Sequence, residues 1–431
     1  MNRVISRLGI ATVAILSLLP LIFWVGIRPL SERFSSLPIS LGNLGDATAL
    51  VGTAMFALTL ILSGRYKVLE KYFGGLDKLY VAHHAFGGIS FILLLFHPLF
   101  LSFQYAFTSI KTAFLILLPS GNFVGDAGIF SLIIMIGALS LTFYTKLPYE
   151  LWRLSHKFLG LAFFLGAIHG LFNENEVSRD PMLFWYLLTL SIVGIVVFFC
   201  HSLFYRFFVR RTEFSVDEVN PLNGDVTEIV LKPMSNSISF QPGQFAFVEL
   251  NCGGRISEVH PFSISSAPAD PRLRFAIKSL GDYTKKVQYA CVGSKAKVEG
   301  PFGGFIYTRA RSKRQIWIAG GVGVTPFLSM VRCVPGPDYS IDFFYTTQKA
   351  DEVIYKTELE AAASSQFRLH LWPTEEKGRI TAAAVTELAG DLKGADIYIC
   401  GPVPMMRALA NQCTALGVRR GRIHTEEFQL T

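Results

Sequence analysis

His83–His97 reads HHAFGGISFILLLFH, and His156–His169 reads HKFLGLAFFLGAIH. Each stretch is apolar and bounded by histidine at both ends, in a setting long enough to cross a membrane. A hydrocarbon core about 30 Å thick needs roughly 20 apolar residues of helix. Ionisable side chains inside such a helix are costly and usually functional. Five of the nine histidines (His83, His84, His97, His156 and His169) fall in these two segments.

The spacing gives them a chemistry. His83 and His97 are fourteen residues apart, about 21 Å of helix rise and about 40° from sharing a face. His156 and His169 are thirteen apart, about 19.5 Å. Both helices enter from the same side, so His83 stands level with His156, and His97 with His169. Two facing imidazoles at one level supply both axial ligands of a haem iron, and two levels imply two stacked b-type haems. HHAFG and HKFLG each place a glycine, Gly87 or Gly160, four residues after the histidine. That shared spacing favours His83 over His84 and leaves room for a flat macrocycle. His84 is then a bystander or a propionate contact, and His201 a structural or interfacial residue. Thirteen residues leave His169 about 140° from His156 on a straight helix, which predicts a bend or bulge near Gly160 or Gly166. The competing reading is a set of packing histidines that tether helices.

Around these segments the chain is apolar up to about Tyr205. Mean hydropathy is +0.40, and only 17% of residues are charged, below the usual quarter. Six spans are predicted, at about 8–27, 46–63, 80–102, 126–145, 155–172 and 182–205. Residues 108–119 are too short to span and read as an external loop helix or a surface segment. Arg3 and Arg7 before the first span also suit a signal peptide, but the apolar run is long and lacks a cleavage pattern, so a retained helix is expected, kinked at Pro20. Arg3, Arg7, Arg65, Lys67, Lys71, Lys78, Lys146, Arg153, Lys157, Arg206, Arg210 and Arg211 lie on one side, against Arg28, Arg33, Lys111 and Arg179 on the other. The positive-inside rule then puts both termini in the cytoplasm. The expected location is a bacterial cytoplasmic membrane. The net charge of +8 sits largely at membrane edges, which favours anionic lipid over nucleic acid as partner. Cys200, Cys252, Cys291, Cys333, Cys400 and Cys413 form no CxxC pair, which argues against iron–sulfur or zinc sites and suits a reducing compartment.

From about Thr212 short β-like stretches appear, at 227–232, 245–250, 274–278 and 295–299, which read as a small antiparallel barrel. HPFSISS at 260–266 predicts a strand with Phe262, Ile264 and Ser266 on one face and Ser263 and Ser265 on the other. Ser263 is a candidate partner for flavin N5, and His260 for phosphate or ribose. KSLGDYT at 278–284 offers the tight turn at Gly281, backbone N–H groups and the Thr284 hydroxyl to a pyrophosphate. GPFGG at 300–304, with Gly300 and Gly303 in it, is a second backbone-dominated turn.

The last 120 residues predict an α/β domain with strands at 315–319, 340–346, 367–372 and 396–399. The first runs into GGVGVTPFLSM. There Gly320, Gly321 and Gly323 bring the chain close to a dinucleotide, and Thr325 opens a helix whose N-terminal end favours phosphate. This is not the GxGxxG fingerprint. The second strand leads to Lys349. The fourth ends at CGP, where Cys400 and Gly401 approach the hydride-transfer edge. Phe428 is a candidate to stack on the flavin, with plain packing as its alternative.

Taken in order, these motifs resemble the NADPH oxidase and ferric reductase superfamily in a compact bacterial form, over nearly the whole chain. The resemblance implies a six-helix transmembrane haem bundle (1–208), an antiparallel β-barrel FAD domain (209–308) and an α/β NAD(P)H domain of ferredoxin-reductase type (309–431). It implies that His83 and His156 ligate one haem, and His97 and His169 the other. It assigns His260, Pro261, Phe262 and Ser263 to FAD, with Tyr283 and Thr284 near its pyrophosphate. Gly320–Thr325 and Cys400–Pro402, including Gly401, would frame NAD(P)H, and Arg379 is a candidate for the 2′-phosphate of NADPH. Relatives often carry a basic residue after the first ligand, where this chain has His84. No regulatory segment or subunit site is evident.

These readings predict electron transfer from NAD(P)H through FAD and two haems to an extracytoplasmic acceptor. The acceptor stays open: oxygen giving superoxide, a ferric chelate, a quinone or a periplasmic protein. The short external loops carry no acidic cluster suited to iron, which leans toward a small diffusible acceptor. A non-catalytic membrane sensor, or a soluble-type reductase on an unrelated anchor, are the readings of other classes.

Overall fold

The computed structural model describes residues 2–144, 149–202, 211–223, 225–251, 258–333 and 336–426. Phe428, and Lys146, Arg206 and Arg210 of the charge count, lie outside the described residues. The chain divides near residue 208 into two compact units.

The first unit is helical: α1 (Asn2–Ile27), α2 (Leu30–Arg33), α3 (Leu37–Leu62), α4 (Lys67–Phe73), α5 (Leu76–Ala106), α6 (Ile110–Leu115), α7 (Phe123–Tyr144), α8 (Tyr149–Phe172), α9 (Glu176–Arg179) and α10 (Pro181–Ser202). Six of these, α1, α3, α5, α7, α8 and α10, are long and apolar enough to cross a membrane. α3 starts nine residues before the expected position. Extended Ser36 precedes it and Pro38 sits in its first turn, where a missing N–H costs nothing. α1 stays helical through Pro20, and α5 through Pro98.

Helix pairing follows from small residues, because lipid offers no hydrophobic drive for helices to associate. A Cβ at Gly52 of α3 would lie 2.8 Å from Cγ of Leu94 on α5, and one at Gly45 would lie 3.2 Å from the His97 carbonyl. α3 and α5 therefore approach to backbone distance. At one end of the bundle Arg33 is buried, stacked 3.7 Å over Trp24 and paired to Glu176 at 2.9 Å.

The second unit holds two sheets. β1 (Thr212–Asn223), β2 (Val226–Pro233), β3 (Phe245–Asn251), β4 (Val259–Ser263), β5 (Leu273–Lys278) and β6 (Lys295–Phe302) form an antiparallel sheet in the order β4-β3-β6-β1-β2-β5. A backbone bond from Ser265 N–H to the Arg274 carbonyl, 2.8 Å, joins the two edges. β7 (Arg314–Gly320), β8 (Ser340–Thr347), β9 (Phe367–Pro373), β10 (Asp396–Cys400) and β11 (Ile423–Thr425) form a parallel sheet ordered β11-β10-β7-β8-β9. β1 and β11 are absent from the sequence-based prediction. β1 is rich in charge and β11 has three residues, so neither shows an apolar run.

Both edges of the parallel sheet carry the same clasp. On one, buried Asp342 of β8 binds Arg368 (2.6 Å) and His370 (3.0 Å) of β9, and His370 stacks on Phe344 at 4.4 Å. On the other, buried Asp396 of β10 binds His424 (2.8 Å) and faces Arg422 (3.7 Å), and His424 stacks on Tyr398 at 4.4 Å. The Asp-to-His interval is 28 residues in both. In each clasp a buried acid of an inner strand holds an Arg-x-His segment at the sheet edge, and it gives three-residue β11 a fixed partner.

Candidate redox sites

In the helical unit the four histidines form two pairs. The His83 and His156 ring centroids lie 6.2 Å apart, and those of His97 and His169 6.3 Å apart. Two imidazole–metal bonds of about 2 Å in line, plus about 1 Å from each nitrogen to its ring centre, give roughly 6 Å.

The protonation pattern suits the same group. Nδ1 of His83 meets the Thr59 carbonyl at 3.0 Å, His97 that of Gly45 at 2.9 Å, and His169 that of Val124 at 3.1 Å. A carbonyl only accepts, so Nδ1 carries the proton and Nε2 keeps its lone pair. Such bonds orient a ligating ring. Nδ1 of His156 is buried without an acceptor among the described residues, and its ring stacks on Trp152 at 5.3 Å. Among the described residues no cluster of three or more His, Cys, Asp or Glu side chains is placed to hold a metal. Two imidazoles fall short of a zinc site, but they are what haem requires beyond its macrocycle.

The three carbonyl bonds reveal a register that sequence reasoning missed. His83, Ser90 and His97 of α5 donate to the carbonyls of Thr59, Gly52 and Gly45 of α3. The rungs are seven residues apart on both helices, the repeat at which two packed helices keep the same seam. α3 carries no ligand, yet it holds both α5 histidines.

Two expectations need correction. α8 is helical without interruption from Tyr149 to Phe172, with no bulge at Gly160 or Gly166. His169 instead leaves α8 on the flank facing α7, where Val124 takes its proton and its ring lies against Gly128. Gly160 does not open space for a macrocycle, since the Phe198 ring of α10 occupies the place of its missing side chain. Gly87 faces only the Thr59 methyl, at 3.4 Å. His84 is exposed, with its ring 5.7 Å from that of His83.

In the second unit β4 ends at Ser263, so the predicted alternation does not run on through the motif. Ser263, Ile264, Ser265 and Ser266 are all buried. His260, Tyr283 and Phe262 form a row of near-parallel rings: His260 on Tyr283 at 4.0 Å, and Phe262 beside Tyr283 at 6.4 Å. His260 also bonds Glu258 at 2.9 Å, and Pro261 beside it is half-buried. His260 and Phe262 stand on β4 and are half-buried, whereas Tyr283 belongs to the turn of helix at 282–287 and is buried. Thr284 caps its own turn: its hydroxyl accepts from the N–H groups of Leu280 and Gly281, at 2.9 and 2.8 Å. The hydroxyl is thus engaged with the backbone of its own turn, where it also donates to the Gly281 carbonyl at 3.1 Å.

The nucleotide turns pack on each other. A Cβ at Gly323 would lie 2.6 Å from the Cys400 carbonyl carbon, and one at Gly401 would lie 3.0 Å from Gly320 N. These glycines, with Gly320 against Pro402, serve turn-to-turn contact. Gly321 differs. Its φ is +54° and nothing lies within 4 Å of its missing Cβ, so its backbone is the part open to a ligand. The Thr325 hydroxyl bonds the Val322 carbonyl at 3.0 Å and closes that turn. Ser329 and Arg332, just beyond, donate to the carbonyls of Ser266 and Ser265, each at 2.7 Å. The two motif segments are thereby tied to each other.

Cys400 is fully buried, its thiol 4.0 Å from the Glu426 carbonyl. Burial, and after it the Glu426 carboxylate, pushes the Cys400 thiol well up. Glu426 is itself buried, and a Cβ at Gly303 (φ +97°) would lie 2.6 Å from its Oε1. Sequence reasoning missed Glu426 because it follows a three-residue strand. Gly300 packs against Ala246, 3.2 Å from its missing Cβ. Lys349 and Arg379 are exposed.

Comparison with known proteins matches residues 48–167 to the family described as ferric reductase like transmembrane component. Residues 211–320 match an FAD-binding domain, and 317–411 an oxidoreductase NAD-binding domain. The first match ends before His169. A flavohemoprotein of Rhizobium meliloti (strain 1021) is 28% identical over 240 residues, 50% of this chain and 60% of that protein. NADH-cytochrome b5 reductase 1 of Mycosarcoma maydis is 30% identical over 211 residues, 44% and 64% respectively. The chain thus spans about three-fifths of the length of the curated relatives it matches. The FAD/NAD-binding domain of nitric oxide dioxygenase from Vibrio cholerae O1 biovar El Tor is similar at 25% identity and a TM-score of 0.45, covering 50% of this chain and 98% of that one. With a ferric-reductase transmembrane component followed by FAD- and NAD-binding domains, this membrane protein has the architecture of the NADPH oxidase and ferric reductase superfamily.

Proposed function

We propose that the protein carries electrons from cytoplasmic NAD(P)H across a bacterial cytoplasmic membrane to a one-electron acceptor outside, molecular oxygen first and a ferric chelate second. The observation that carries this reading is the pair of facing imidazole levels, 6.2 and 6.3 Å between rings. When bound, FAD accepts the two electrons of a hydride and releases them singly, and the haems carry one each.

The chain's residues do the rest. His83 with His156, and His97 with His169, would hold the two haems. The carbonyls of Thr59, Gly45 and Val124 fix three of those rings as Nδ1–H tautomers. Were each pair to hold a haem between its two imidazoles, the acceptor would take its electron without binding iron. The aromatic row of His260, Tyr283 and Phe262 would take a planar group of FAD, with Ser263 beside it. Gly321 would approach the pyrophosphate of NAD(P)H. Cys400, buried and held protonated, offers the nicotinamide a neutral wall that excludes water. Exposed Lys349 and Arg379 suit the 2′-phosphate of NADPH, with NADH as the alternative.

Oxygen is placed before iron because of Glu176. Arg28 (3.0 Å) and Arg33 (2.9 Å) both hold this carboxylate, which removes it as an oxygen ligand for a ferric ion. Reduced-minus-oxidised spectra of the purified protein should show b-type haem. NAD(P)H oxidation, compared between oxygen and ferric chelates with superoxide followed separately, identifies the acceptor. Absence of haem bands sinks the reading.

A further inference from the structure

We propose that Gly128 of α7 is a positioning residue for the second haem level: by lacking a side chain it seats the His169 imidazole, whose ring fills that place. The proposal rests on the reading of His97 and His169 as ligands of one haem.

Val124 and Gly128 are four residues apart and share one face of α7. The first supplies the carbonyl that takes the His169 Nδ1 proton, at 3.1 Å. The second supplies space. A Cβ built on Gly128 would lie 2.7 Å from His169 Cγ and Nδ1, and 2.9 Å from Cδ2. These are the ring atoms nearest the His169 backbone, so the ring cannot swing clear while it keeps both the Val124 bond and its 6.3 Å approach to His97.

Nor is α7 free to retreat. Three residues along, the Ser131 hydroxyl donates to the Ala162 carbonyl of α8 at 2.6 Å. A Cβ at Gly166 would lie 3.0 Å from the Ser131 hydroxyl oxygen. The two helices are thus in contact on the next turn, and an added methyl at 128 must displace the imidazole. The other glycines of α7 make no such contact: Gly137 has nothing within 4 Å, and Gly125 meets only Asn122 at 3.9 Å. α7 contributes no ligand, yet it decides where the fourth imidazole stands.

The test uses the full chain with its cofactors, and measures haem per protein and low-temperature electron paramagnetic resonance. Gly128→Ala should either halve the haem content or convert one low-spin signal to high spin, leaving the other signal unchanged. Gly137→Ala should match wild type. His97→Ala, run alongside, should halve the haem content. If His97→Ala halves it while Gly128→Ala keeps both signals unshifted, the positioning role is wrong and the ligand reading stands. If His97→Ala loses no haem, the ligand reading falls, and this proposal with it. Loss of both haems together in Gly128→Ala also overturns the proposal, because the His83 level lies fourteen residues of helix away. Such a loss would mark Gly128 as a folding residue.

Discussion

The Ser90 hydroxyl donates to the Gly52 carbonyl at 2.9 Å, midway along α5 between His83 and His97. It is the middle rung of the ladder whose outer rungs are the histidine bonds to Thr59 and Gly45. This serine thus adds a third bond to the register that both histidines use.

Ser90→Ala should therefore lower stability with little effect on cofactor content. Side-chain hydrogen bonds between membrane helices are worth roughly 0.6 kcal/mol. Unfolding in detergent should show a loss of about that size, with haem per protein unchanged. A large haem loss would mean the outer rungs depend on the middle one.

Gly52→Val acts on the same seam by sterics. Its Cβ would lie 2.8 Å from Leu94 Cγ, and overpacking of this kind costs about 1–3 kcal/mol. The helices must separate along all three rungs, so both haems should be lost together. Gly88→Val on α5, with nothing within 4 Å of its missing Cβ, should retain both. Equal haem content in the two variants would contradict the ladder.

In the nucleotide turns, Gly321→Ala and Gly323→Ala should diverge. The first meets open space but strains a φ of +54°, at a cost of about 1–2 kcal/mol. It should raise the KM for NAD(P)H and leave the domain folded. The second collides with the backbone of Cys400 and Gly401 and should destabilise the domain by more. Thermal unfolding and steady-state kinetics together separate the two cases.

The Asp396 clasp should give an acid limb to stability. Burial raises this carboxyl, but the hydrogen bonds from His424 and Ser312 N–H, with the Arg422 charge, outweigh it and hold its pKa below the usual value. A depressed folded pKa contributes stability above the unfolded value, about 3.9. That contribution is lost as pH falls through the folded one. Asp396→Asn should lower stability at neutral pH and flatten the loss below about pH 4. It should also loosen β11, whose pairing beside β10 places Glu426 near Cys400. Equilibrium unfolding across pH is the measurement, and an unchanged acid limb would count against the clasp.

Much of this molecule is legible in the sequence because much of it is periodic. Apolar runs of membrane length mark six helices at close to their observed positions, since a helix in lipid satisfies its own backbone. Helix rise alone puts His83 level with His156, and His97 with His169. The order of the glycine turns marks the FAD- and NAD-binding domains, because a residue without a side chain is conspicuous in the sequence whether it serves a positive φ, as at Gly321, or close packing, as at Gly323.

Tertiary structure decides what depends on a neighbour. The sequence cannot reveal that α3 supplies the carbonyls for both α5 histidines, because helix α3 carries no residue that announces it. Ideal helix spacing turns His169 away from the face of His156; the α7 surface at Val124 and Gly128 receives it there, with α8 helical throughout. Gly160 resembles Gly87 in sequence, yet one is filled by Phe198 and the other faces Thr59. Glu426 reaches Cys400 only because β11 pairs beside β10. Local spacing fixes the levels of the four imidazoles through helix rise, which is a property of one segment. Their tautomers and seats belong to the packing of one helix on another.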